Sequence, residues 1–348
     1  MYFASDNSGP VHPQVMQALN DVNTGYAMGY GDDPQMGIVR NRLRDIFEAP
    51  EAAIYLVTTG TAANSLALAT LTHPWQTIFC TPVAHIHEDE CNGPEFYTGG
   101  AKLTLVPGGD KMTAQALRRS IAGENIRGVH GPQRGPVSIT QVTERGSVYS
   151  LDELRALTGV AKEFGLPVHL DGARFANALV TTNGSPADMT WRLGVDAVSF
   201  GGTKNGLMGA EAVIFFDPEK AWEFELRRKR GAHLMSKHRY LSAQMMAYLQ
   251  DDLWLTCAKQ ANANCAQLVA GLTAAGATFL HEPDANMVFT AFPRSAHRRL
   301  HAAGAACDLW GDAQLDGNDP DEFLPTRLVC DWSITPNLIE QFLALVRG

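Results

Sequence analysis

Three short stretches place reactive residue types beside small residues that leave room for a ligand. Gly60-Thr61-Ala62-Ala63-Asn64 joins a strand-like run to a helix-like one. Backbone N–H groups at such a helix start can hold an anion, and the helix dipole helps them. The same residues also suit a plain tight turn. They match neither dinucleotide nor P-loop motifs, because no G-x-G-x-x-G follows a strand and no Gly-Lys-Ser/Thr follows the turn. Leu170-Asp171-Gly172-Ala173-Arg174 delivers a carboxylate at the end of an apolar run. Open parallel sheets bind ligands there, although an Asp in that place can equally finish a turn. Phe200-Gly201-Gly202-Thr203-Lys204-Asn205-Gly206 surrounds a lysine with glycines. That leaves the amine approachable for Schiff-base chemistry, or it makes Lys204 a solvated surface residue.

The elements that must position these stretches read as alternating short apolar runs and helical patterns, the texture of an α/β protein. Strands are expected at 53–57, 77–80, 102–106, 137–140, 167–170, 197–200 and 213–216. Ser150-Leu151-Asp152-Glu153 is a capping box, opening a helix whose apolar stripe runs from Leu151 to Phe164 and stops at Gly165. Val39, Leu43, Ile46 and Phe47 share another helical face. Beyond about residue 235 the pattern changes to long helices with fewer strands, at 287–290 and 327–330. A final helix starts at Thr335-Pro336 and carries Leu338, Ile339, Phe342 and Leu345. The expected organisation is a large α/β domain at 1–235 and a smaller α+β domain at 236–348.

Composition narrows the partners. The chain has 348 residues, 45% of them hydrophobic, and a net charge of −9. An acidic chain is a poor match for nucleic acid or an anionic membrane. The basic run Arg227-Arg228-Lys229-Arg230 is therefore read as a solvated helix face or a subunit contact. No apolar run reaches the ~20 residues of a membrane span. The start shows no basic and apolar leader pattern, so a secretory signal is not expected. Six cysteines are scattered without a C-x-x-C pair, which suggests reduced thiols in a cytoplasmic protein. No ligand cluster for a metal stands out.

An anion cup, then a strand-end Asp, then a strand-end Lys is the set of parts that pyridoxal phosphate (PLP) requires: a phosphate site, a carboxylate for the pyridine nitrogen and a Schiff-base lysine. At this point the chain resembles the low-specificity L-threonine aldolases, which have the aspartate-aminotransferase-like fold of PLP enzymes (fold type I). The resemblance covers nearly the whole chain. It rests on Ala4-Ser5-Asp6-Asn7, Tyr30-Gly31-Asp32-Asp33, Gly60-Thr61-Ala62-Ala63-Asn64, Ala84-His85 and Asp89-Glu90-Cys91. It continues through Asp171-Gly172-Ala173-Arg174-Phe175, Gly201-Gly202-Thr203-Lys204-Asn205-Gly206 and Arg327-Leu328-Val329.

The resemblance implies a role for each matching residue. Lys204 carries the cofactor, Asp171 pairs with its ring nitrogen, and Gly60 and Thr61 hold its phosphate. His85 stacks on the ring near the substrate hydroxyl, and His85 or a water it orients is the candidate base. Arg174 and Arg327 clamp the substrate carboxylate, and Ser5 touches the substrate. Glu90 supports the site from behind, and Lys237 reaches a phosphate across a subunit interface. The implied reaction cleaves L-threonine or L-allo-threonine to glycine and acetaldehyde, in a homodimer or homotetramer with sites at the subunit interface. Alternatives are a PLP-dependent β-eliminating lyase, an aminotransferase, or a silent PLP-fold binding protein. One departure stands out: where some family members carry a histidine after a threonine, this chain has Thr143-Glu144. A base at that position is therefore not expected.

Overall fold

The computed structural model describes residues 1–348. Seven runs form one sheet: Ala53–Val57 (β1), Gln76–Cys80 (β2), Lys102–Leu105 (β3), Gln133–Thr140 (β4), Val168–Gly172 (β5), Ala197–Phe200 (β6) and Glu211–Phe215 (β7). Their spatial order is β1-β7-β6-β5-β4-β2-β3. Strands β2 to β6 are mutually parallel, while β7 runs antiparallel to both β6 and β1. β1 therefore points the same way as β6. β1, β5, β6 and β7 are buried along their whole length, as strands covered on both faces must be. That double burial is why they read as unbroken apolar runs.

This topology decides where function can sit. The carboxyl ends of β1, β2, β4, β5 and β6 all meet one edge of the sheet, the edge at which open α/β sheets bind ligands. Asp171 lies at the end of β5 itself, and the segments leaving the other ends carry Gly60, His85, Glu144 and Lys204. After β1 comes the helix Gly60–Leu71, buried without a break from Ala62 to Thr70. After β4 the chain passes Glu144 and enters the helix Leu151–Glu163. Its capping box is complete: Glu153 N donates to Ser150 Oγ (3.2 Å), and Ser150 N donates to Glu153 Oε2 (2.7 Å).

A second, antiparallel sheet contains Thr278–Phe279 (β8), Met287–Pro293 (β9), Asp308–Leu309 (β10) and Phe323–Val329 (β11), in the order β10-β11-β9-β8. The two main apolar cores meet within the helix Leu253–Ala274. Leu241, Met245, Tyr248, Trp254 and Ala258 belong to the larger core. Cys265, Leu268 and Leu272 join Phe342 and Val288 in the smaller. The large core thus takes in residues beyond 235. Phe3, from the amino terminus, also packs in the small core. Phe3 N donates to Ala306 O and Val329 N donates to Phe3 O, both at 2.8 Å. This arm brings Ser5 and Asp6 beside the small sheet.

The basic run is not a uniformly solvated face. It ends the helix Ala221–Arg230, but Arg228 is 2% exposed. Its guanidinium lies over the Tyr55 ring, donates to Leu56 O and pairs with Glu225 at 2.9 Å. The aromatic face, the Leu56 carbonyl and the Glu225 carboxylate together favour burying this planar cation, although its Nε has no partner.

Candidate active site

Two cavities lie at the shared carboxyl edge. One, of about 270 Å³, is lined by Gly60, Thr61, Asp171, Ala173 and Thr203 among others. The other, of about 350 Å³, is lined by Ser5, Met287, Trp310 and Arg327 among others. Asn7, His85, Glu144, Arg174 and Lys204 border both. Eight of the ten residues singled out in the sequence therefore line these cavities. The other two are Glu90, which is buried, and Lys237, which is exposed; neither lines either cavity.

At the helix start, Thr59 Oγ1 accepts from Ala62 N (3.1 Å) and Thr59 O accepts from Ala63 N. Those bonds leave the N–H groups of Gly60 and Thr61 as the helix's unclaimed donors, facing the first cavity. Asp171 is 2% exposed. Its Oδ1 accepts from Ala173 N (3.0 Å) and its Oδ2 from Asn64 Nδ2 (2.8 Å). Asn64 Nδ2 also donates to Glu90 Oε1 at 2.9 Å, and that same oxygen lies 2.9 Å from His85 Nδ1. One amide thus connects the Asp171 carboxylate to the His85–Glu90 pair. The hydrogen bond to Glu90 raises the His85 pKa against the effect of burial. Burial in turn pushes Glu90 up. Glu90 thus touches both His85 and Asn64, and the link through Asn64 is one the sequence did not reveal.

Lys204 sits in a single turn after β6. The glycines before it have a packing reason rather than one of access. A Cβ on Gly201 would collide with the Ala173 carbonyl, and one on Gly202 would lie 2.7 Å from Ala210 O. The nearby Arg174 cation, and then burial, hold the Lys204 amine below the ordinary lysine range. A depressed amine pKa raises the fraction that is neutral and nucleophilic.

Arg174 is not the free clamp that the sequence suggested. Its Nε and Nη2 donate to Asp6 Oδ2 and Oδ1 at 2.7 and 3.0 Å, filling one side of its fork. Arg327 is less committed. Nη2 donates to Ala4 O (3.1 Å), the guanidinium lies over Trp310, and Nε is buried with no partner. Ser5 Oγ accepts from Asn7 N (3.2 Å) and caps the short turn that holds Asp6. Two further carboxyls line the first cavity: Glu144, seen in the sequence only as a departure from a pattern, and Glu211, which carried no sequence signal. Burial raises Glu144 to about 7 and Glu211 to about 7. Glu211 accepts from Gly202 N (2.7 Å), beneath the Lys204 turn.

The model of the beta-eliminating lyase family matches residues 2–294, most of the chain. The chain belongs to that family. Within this family of lyases, the low specificity L-threonine aldolase of Pseudomonas aeruginosa is 40% identical over 304 residues, 87% of each chain. The solved threonine aldolase of Leishmania major superposes with a TM-score of 0.92 at 26% identity, covering 99% of this chain and 98% of that one. A serine palmitoyltransferase variant from S. paucimobilis with a bound PLP–myriocin aldimine shares the fold alone: TM-score 0.68 and 17% identity, covering 100% of this chain and 86% of that one. The architecture is that of fold type I PLP enzymes.

The residues present fit that cofactor. A dianionic phosphate suits the free N–H groups of Gly60 and Thr61. The buried Thr203 Oγ1, without a partner in the chain, is a further polar atom on the same wall. A protonated ring nitrogen suits the buried Asp171 carboxylate, and an aldehyde suits the Lys204 amine.

Proposed function

We propose that this protein cleaves L-β-hydroxy-α-amino acids, L-threonine and L-allo-threonine among them, to glycine and an aldehyde, which is acetaldehyde for those two. PLP is the cofactor. One observation carries the reading: the cavity that fits the cofactor and the cavity holding Arg327 share the border on which Lys204 sits. An amino acid bound there meets an amine at one end and a guanidinium at the other.

In this reading Gly60 and Thr61 bind the phosphate, Asp171 keeps the ring nitrogen protonated, and His85 lies against the ring. Arg327 binds the substrate carboxylate by charge-assisted hydrogen bonds, with Ser5 beside it and Arg174 contributing only the N–H groups that Asp6 leaves free. When bound, the cofactor takes up the electron pair released as the Cα–Cβ bond breaks. Arg327 holds the substrate carboxylate, and Lys204 yields its place on the bound cofactor to the substrate amino group, so the bond to be broken is held in place before reaction.

The same reading places the protein in the cytoplasm as a homodimer or homotetramer with active sites at subunit interfaces. Six free cysteines suit a reducing compartment. Tyr26, Met28 and Tyr30 form an exposed apolar segment that suits a subunit contact, and the exposed Lys237 would serve the phosphate of a neighbouring subunit.

The test is a panel of β-hydroxy amino acids covering both β-epimers, with aldehyde and glycine identified as products. Keto acid and ammonia in their place would make the protein a β-eliminating enzyme. No turnover, with a visible cofactor band that borohydride abolishes, would make it a silent binding protein.

A further inference from the structure

Glu144 stands where some relatives in the resemblance carry a histidine, and on sequence alone it was not expected to act as a base. Its surroundings suggest otherwise. Its Oε1 accepts from His85 N and from Thr140 Oγ1, both at 2.8 Å. These two donors fix the carboxyl group from one side. Oε2 is buried and has no hydrogen-bond partner. The side chain borders both cavities beside Lys204 and His85. An unpaired buried carboxyl oxygen costs about 1–3 kcal/mol, so a ligand that supplies a donor at this position is favoured.

The substrate carries only a few groups that could meet it. Arg327 takes the carboxylate and Lys204 sits where the amino group must go. What remains on a β-hydroxy amino acid is the hydroxyl. Building on the proposed function, we propose that Glu144 Oε2 receives the β-hydroxyl proton of the substrate and is the general base of the cleavage, the task the sequence suggested for His85.

The step balances without an added oxidant or reductant. The O–H bond breaks and its proton goes to Glu144. The O–H electron pair becomes the second C–O bond of the aldehyde. The Cα–Cβ bond breaks with its pair left on the Cα side, and Cα takes one proton as glycine forms. Burial brings Glu144 to about 7, which is where a base working near neutral pH is most effective. Among the groups around it, Asp171 opposes its ionisation and Arg174 is stabilised by it, while the buried Cys80 and Tyr149 stay neutral nearby. Glu90 holds His85 Nδ1 and so fixes the orientation of the ring that would lie against the cofactor, a different task from that of Glu144.

The experiment compares Glu144→Gln with the wild-type holoenzyme in three measurements: cleavage of L-threonine, exchange of the glycine α-hydrogen with deuterated solvent, and bound PLP per chain. Glycine has no hydroxyl, so its exchange needs the cofactor, Lys204 and Arg327 but not this base. The expected result is a loss of about 100-fold or more in kcat for cleavage, exchange within about threefold of wild type, and full PLP content. Cleavage above about a tenth of wild type overturns the proposal. So does a parallel loss of exchange at full PLP content, which would place Glu144 in the support of the site. If the Gln variant fails to load PLP, Glu144→Ala assayed with and without formate decides. Restored cleavage upholds the base, and no restoration overturns it. A wild-type enzyme that releases no glycine from any β-hydroxy amino acid defeats the proposed function itself, a separate outcome.

Discussion

Asp6 holds Arg174 through two hydrogen bonds, at 2.7 and 3.0 Å, and the two side chains are 1% and 12% exposed. Burial alone would raise the Asp6 pKa, but Arg174 and Lys204 outweigh it and keep the carboxyl below its usual range. Asp6 belongs to the amino-terminal arm and Arg174 follows β5, so the pair anchors the arm to the large sheet. Asn286 Nδ2 also donates to Asp6 Oδ2 (3.1 Å), extending the link to the residue preceding β9.

Asp6→Ala should therefore cost more than an ordinary surface change. Removing one partner of a buried ion pair leaves the other charge uncompensated, at ~3–5 kcal/mol. Urea unfolding of the variant measures this. A loss below ~1 kcal/mol would mean that water reaches Arg174 once the arm shifts.

Arg327→Ala is expected to raise KM for L-threonine by about 10–100-fold, the worth of charge-assisted hydrogen bonds to a carboxylate. PLP content should be unchanged, because Gly60, Thr61, Asp171 and Lys204 line a cavity that Arg327 does not border. Steady-state kinetics with a cofactor titration checks both halves. Loss of PLP, or an unchanged KM, removes Arg327 as the clamp.

Much of this site was legible because it is local. β1, β5 and β6 each have their functional residue within a few positions of the strand end, so Gly60, Asp171 and Lys204 could be read from contiguous stretches. The capping box at Ser150 was readable for the same reason. Links made across the fold were not. Asn64 and Asp171 are 107 positions apart, and Asp6 and Arg174 are 168 apart. Nothing in the residues around Arg174 says that one side of its fork is already filled. Glu144 was visible as a departure from a pattern, but its orphaned oxygen comes from packing. Arg228 was misread because a charge run gives no sign of Tyr55, which sits on a distant strand and covers it.

Glu211 should make stability pH-dependent with a definite sign. Burial penalises its charge and pushes the carboxyl up to about 7 in the folded chain, from an ordinary value of 4.5. Between those values the folded state keeps a proton that the unfolded state has lost. This contribution is fully present below pH ~4.5 and is lost as pH rises through ~7, a change of ~3 kcal/mol. Glu211→Gln keeps an acceptor for Gly202 N but cannot ionise. In the cofactor-free protein the variant should gain on wild type by about that amount between pH 4.5 and 8, measured by urea unfolding. Parallel pH curves would show that Glu211 stays ionised.

Asp171→Asn tests the PLP assignment most directly. The wild-type carboxylate accepts from Ala173 N and from Asn64 Nδ2 with different oxygens. An asparagine has only one oxygen, so one of those donors would face an NH2 group, and stability should fall by ~1–3 kcal/mol. The catalytic effect has a separate origin. An adjacent carboxylate favours the protonated ring by ~1–3 pKa units, and the neutral amide gives that up. Because the protonated ring takes up the electron pair in the bond-breaking step, the loss should appear in kcat, by about 10–1000-fold, with KM changing less. If Asp171 merely ended β5, the variant would lose stability yet turn over normally at each loaded site. Measuring kcat per bound PLP together with thermal unfolding distinguishes the two. Near wild-type turnover per cofactor would remove Asp171 from the chemistry, and with it the reason that β5 carries a buried carboxylate to the sheet edge beside Lys204.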